Sequence, residues 1–128
     1  MFKIHVDHKG NRGWEYLPAA AGTYVAGQAL TVASGKLAAI SAASATSPEY
    51  ICMMDGTVAA GDLVPVIRVD KDIELETTLS AAAADMVMGT KLQISKGGLQ
   101  VDAAAEGTFE VKEYAGTAAG AAVIGRFL

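Results

Sequence analysis

The 128-residue chain holds a single cysteine, Cys52, which excludes an internal disulfide framework and any zinc site built from several thiolates. Charge is sparse: Asp, Glu, Lys and Arg supply 19% of the residues, and 14 acids against 10 bases leave a net charge of -4. The cations are scattered, so duplex binding through many phosphate contacts is not expected. No apolar run approaches the roughly 20 residues of a spanning helix. The start, Met1-Phe2-Lys3-Ile4-His5-Val6-Asp7-His8-Lys9, lacks the long apolar block of a signal peptide. The expectation is a soluble chain with no nucleic-acid or membrane partner. Aromatics at 6% are few for a sugar-stacking platform. What the chain does have is small residues and a length that suits one domain.

It also repeats itself. Leu17 to Ala45 and Leu79 to Gly107 align without a gap at an offset of 62, matching Val25 with Val87, Gly27 with Gly89, Leu30 with Leu92, Val32 with Ile94 and Leu37 with Leu99. The match continues with small gaps through Tyr50 with Phe109 and Arg68 with Arg126. A tandem duplication is the simplest account, with halves at about 17–69 and 79–128 following an N-terminal arm over 1–16.

Each half reads as strands. Leu30 to Ile40 and Lys91 to Asp102 are short hairpins around Gly-containing turns, the second alternating Leu92, Ile94, Leu99 and Val101 with polar residues. Glu49 to Met54, Leu63 to Val69, Ile73 to Thr77, Thr108 to Tyr114 and Ala122 to Leu128 add further strands. Pro65 lacks a ladder donor and points to an edge or a bulge. Ser80 to Met88, with a capping Ser, four Ala and a stopping Gly89, predicts a helix, and Pro18 to Ala26 at most one helical turn. The expected fold is mainly β: a small antiparallel barrel or sandwich with a pseudo-twofold duplication and one or two short helices. Leu30, Val32, Leu37, Ile51, Val66, Leu92, Ile94, Val111 and Val123 are expected to share one core.

Chemistry is thin. His5 and His8, three apart on an extended segment, point to opposite faces and make a poor metal site. Cys52 between Ile51 and Met53 reads as a buried thiol. Glu74 with Glu76, and Asp70 with Asp72, read as solvated faces or sheet-edge guards. Gly10-Asn11-Arg12-Gly13 and Lys96-Gly97-Gly98 lack the spacing of a phosphate loop and read as tight turns. No catalytic residue, cofactor or metal is expected, and the chain is not read as an enzyme. The partner-contact candidates are Phe2, Ile4, Val6, Trp14 and Tyr16. The arm concentrates aromatic and charged residues, and Phe2, Ile4 and Val6 alternate along one face. It reads either as a strand offered to a partner or as the first strand of the barrel, with Trp14 in the core.

The runs GTYVAGQALTVASGKLAAIS, SPEYICM, LVPVIRVDKDIELETTLSAAAADMVMGTKLQISKGGLQV and TFEVKEYAGTAAGAAVIGRFL resemble the head decoration, or capsid cement, proteins of tailed bacteriophages. The similarity covers about Tyr16 to Leu128. It implies a mainly β fold, a homotrimer, the major capsid protein as partner and a place on the virion surface after synthesis in the host cytoplasm. The arm departs from the family's Pro- and Ala-rich one in its charge and aromatics. The alternative from composition is a small β-barrel binding module for a host surface or carbohydrate.

Overall fold

The computed structural model describes residues 1–10 and 12–128; the tight turn expected at Gly10-Asn11-Arg12-Gly13 includes Asn11, which lies outside the described residues. Among the described residues thirteen strands run in the order β1 (Lys3–Asp7), β2 (Glu15–Pro18), β3 (Gly22–Tyr24), β4 (Ala29–Ala33), β5 (Lys36–Ala39), β6 (Tyr50–Cys52) and β7 (Gly56–Val58). They continue with β8 (Leu63–Arg68), β9 (Ile73–Thr78), β10 (Lys91–Ile94), β11 (Val101–Asp102), β12 (Phe109–Tyr114) and β13 (Ala122–Phe127). They form three antiparallel sheets: six strands ordered β1-β9-β13-β12-β10-β11, five ordered β2-β8-β6-β4-β5, and the pair β3-β7.

No sheet closes on itself among the described residues, so the barrel expectation is corrected to open sheets in layers. The helix expectation is corrected as well. Ser80 to Met88 forms bends and turns, because its backbone groups bond outward: Ser80 N to Val101 O and Ala83 N to Thr117 O. Ala-rich propensity is a weak prior that such tertiary pairing overrides. Pro18 ends β2 and the residues after it enter β3, so no helical turn forms there.

The two large sheets share a pattern of strand pairing. Leu30 opposite Tyr50 corresponds to Leu92 opposite Phe109, Tyr16 opposite Pro65 to Glu76 opposite Ile124, and Val32 opposite Leu37 to Ile94 opposite Val101. Loop bonds correspond too: Gly61 N to Ala19 O with Gly120 N to Leu79 O, and Gly27 N to Cys52 O with Gly89 N to Val111 O. The offset is not uniform. It is 60 between β2 and β9, 62 between β4 and β10 and 64 between β5 and β11, so Leu37 corresponds to Val101 rather than to Leu99. The first hairpin turns tightly at Ser34 and Gly35, both with positive φ, whereas the turn between Ile94 and Val101 is longer.

Burial follows the faces. One face of the five-stranded sheet carries Leu30, Leu37, Tyr50, Cys52, Val64 and Val66 into a cluster covered by Tyr24 of β3. Its other face sends Ala29, Ile51 and Ile67 into a second cluster with Leu75, Leu92, Ile94, Phe109, Val123 and Phe127 of the six-stranded sheet. The expected single core is therefore two clusters on either side of one sheet. Val32 is 39% exposed and belongs to neither, since it stands near the hairpin tip. Unlike faces meet between the layers: the cross-strand pair Ile51–Ile67 is buried there, while the corresponding Glu110–Arg126 is an ion pair on the outer surface. A pseudo-twofold axis between the sheets would bring like faces together. Pro65 lies in a central strand. Its carbonyl accepts from Met53 N just past the end of β6, and with no N–H on Pro65 to return a bond to Met53 O the pairing with β6 stops there.

Candidate interaction surface

Among the described residues the arm is bound to the body through β1, Phe2, Arg12 and β2. β1 pairs with β9 as an edge strand of the six-stranded sheet. Phe2 is corrected from a partner-contact candidate to a core residue. It is 3% exposed, its N–H donates to Gly27 O at 2.8 Å, and its ring lies 6.0 Å from Phe109 and 5.6 Å from Phe127. The Met1 amino group donates to Leu99 O.

Arg12 holds the other end. Its Nε and Nη2 bond both carboxylate oxygens of Asp7, Nη1 and Nη2 bond Asp70, and Nη1 also reaches Arg68 O. Lys9 adds Asp70 and Asp72. The Arg12 guanidinium holds Asp70 at about 2, against a smaller upward push from burial, and lowers Asp7 also. The like-charged pair Asp70 and Asp72, read from sequence as solvated, is thus part of a clamp.

A bulge in β1 separates Ile4 from Val6. Ile4 stands opposite Leu75 and Val6 opposite Glu74, so the two do not share a face with each other as strict alternation predicts. Both are exposed. Ile4 lines an apolar groove of about 430 Å³ at the seam of the two sheets, floored by Ile51, Ile67 and Leu75 and flanked by Met53. Val6 lies on the outer face.

From that groove an apolar strip runs outward. Ile67, Pro65 and Leu63 alternate onto one face of β8: Ile67 is buried, Pro65 half-buried and Leu63 62% exposed. Tyr16, 60% exposed, sits directly opposite Pro65 on the edge strand β2, and Trp14 is exposed just before it. Tyr16 and Trp14 thus lie on the surface, so the alternative that placed Trp14 in the core is corrected, and the structure adds Leu63 and Met53. Their signal was present in the alternation of Leu63, Pro65 and Ile67. Fully burying a large apolar side chain contributes about 1.5 to 3 kcal/mol before association costs, so this strip can drive contact with a partner.

Glu74 draws two basic side chains together. His8 Nε2 meets Glu74 Oε2, Lys112 Nζ bonds both Glu74 oxygens at 2.9 and 3.0 Å, and His8 and Lys112 lower the Glu74 carboxyl. Burial pushes the Cys52 thiol up, and its Sγ donates to Met54 O at 3.2 Å. Among the described residues no three His, Cys, Asp or Glu side chains gather as a metal site would require. Among the described residues no helix is long and apolar enough to cross a membrane. The chain matches no protein-family model and no curated protein.

Proposed function

We propose that this chain is a structural protein of a tailed-phage virion, binding the major capsid protein lattice as a homo-oligomer, a trimer by the resemblance, and stabilising the shell. The observation that carries the reading is the strip Trp14, Tyr16, Pro65 and Leu63, continuous with the groove at Ile4 and Met53. A partner covering it removes apolar surface from water and immobilises few long side chains. Ligation then stabilises whichever shell state presents the matching surface, by mass action. The clamp of Arg12 on Asp7 and Asp70 supports the same reading, because it presents Trp14 and Tyr16 from a fastened backbone.

We also infer that the two halves descend from a tandem duplication. The corresponding strand order, pairing registers and loop hydrogen bonds support it; insertions of two residues before β10 and in the turn before β11 raise the offset from 60 to 64, and a connection five residues shorter between β11 and β12 brings it to 59 for the last two strands. The test of function is a mass measurement of the free protein followed by co-sedimentation with expanded and unexpanded shells. Saturable binding to expanded shells supports the proposal. Binding to neither form contradicts it.

A further inference from the structure

The turns at 25–28 and 87–90 have one construction and two fates. In each, the fourth residue's N–H bonds the first residue's carbonyl at 3.0 Å, as Gln28 to Val25 and Thr90 to Val87. In each, the fourth residue's side chain accepts the first residue's N–H: Gln28 Oε1 from Val25, Thr90 Oγ1 from Val87. Gly27 and Gly89 occupy the third position with φ of 87° and 92°.

Gly27 is buried beneath the chain's own start. Its carbonyl accepts the Phe2 N–H, and a Cβ on it would lie 2.7 Å from Phe2 O. Gly89 is exposed, a Cβ there would meet nothing within 4 Å, and among the described residues no donor reaches its carbonyl.

The walls correspond as well. Around Gly27 stand Ile51, Met53 and Ile67; around Gly89 stand Glu110, Lys112 and Arg126, bounding a cavity of about 430 Å³ with Met88 exposed at its rim. We infer that this second cavity is a seat for an extended, acidic segment of a partner polypeptide, whose backbone N–H bonds Gly89 O as Phe2 bonds Gly27 O.

The exchange of apolar for charged walls sets the chemistry. An apolar occupant like Phe2 would cover the Glu110–Arg126 pair and the Lys112–Glu74 pair without replacing their water, which is costly. The heights of the charges choose the sign. Lys112 and Arg126 stand out into solvent, whereas Glu74 is buried under Lys112 and Glu110 is half-buried beside Arg126, so an arriving chain meets the cations first. Exposed Lys91, directly opposite Glu110, extends that edge. An extended backbone supplies the N–H, as in strand addition. The inference stands on the two turns and does not depend on the partner being a capsid.

The test is an NMR titration of the full chain with three octapeptides: alternating Glu and Val, alternating Lys and Val, and the Glu–Val peptide N-methylated at alternate residues. The Glu–Val peptide is expected to shift the amides of Met88 to Thr90 with those of Lys112 and Arg126. Its affinity is expected to fall at least fivefold with Arg126→Gln and with Met88→Asp, both surface changes, and on N-methylation. Absence of shifts, equal binding of the Lys–Val peptide, shifts centred on Tyr16, or indifference to both substitutions or to N-methylation would overturn the proposal.

Discussion

Replacing Phe2 by Ala tests whether the first residues are part of the body. The ring is almost wholly buried among Phe109 and Phe127, whose own rings lie 5.1 Å apart, and it closes the cluster between the two sheets. Truncating a buried Phe costs about 3 to 5 kcal/mol, from lost transfer energy and from the void left behind. At this chain length about 4 °C of melting temperature is lost per kcal/mol, so the midpoint should fall by about 12 to 20 °C. Phe2→Leu should cost about 1 kcal/mol, since it keeps most of the volume. Combining Phe2→Ala with Phe127→Leu should reveal coupling of about 0.5 to 1.5 kcal/mol from their tilted ring contact. Urea and thermal melts followed by circular dichroism give all four values. A Phe2→Ala protein melting within about 3 °C of the parent would refute the placement of this residue, because no core void of that size is so cheap.

Removing Met1 to Gly13, which a free arm would tolerate, should leave a protein that aggregates or melts without cooperativity, read by circular dichroism and light scattering, because β1, Phe2 and the Arg12 clamp all go. Gly27→Ala should destabilise more than Gly89→Ala in urea melts: both strain a left-handed φ, but only the first drives a methyl into the Phe2 backbone. Stability should decline as pH falls from about 4 towards 2. Folded Asp70 ionises at about 2 against an ordinary 3.8, so the unfolded chain binds more protons across that window. In Asp70→Asn the slope of stability against pH should be shallower there, and an unchanged slope would remove Asp70 from the clamp.

The hairpins of β4 with β5 and of β10 with β11, and the strands at β6, β8, β9, β12 and β13, were legible because alternation and turn residues act locally. The Gly35 turn carries its own signature. The segment at Ser80 to Met88 was not legible, since Ala-rich composition favours a helix and only distant partners such as Val101 and Thr117 draw it away. The layering was hidden for a related reason. Ile51 and Ile67 look like core in any β fold, and nothing near them in sequence says that their counterparts Glu110 and Arg126 close the outside. In the arm, period-two alternation gave Phe2, Ile4 and Val6 one face, and the bulge before Val6 broke it. Trp14 and Tyr16 were found from their composition alone, whereas Leu63 joins them only through the pairing of β2 with β8.

The proposed role turns on the strip at Tyr16 and Leu63, and co-sedimentation of a Tyr16→Asp, Leu63→Asp double variant with expanded shells tests it most directly. Both side chains are exposed, so the variant should melt within about 3 °C of the parent. It should nevertheless lose at least tenfold in shell affinity, because each substitution places an unpaired carboxylate in a desolvated contact. A folded double variant that coats expanded shells at parental occupancy would contradict the account.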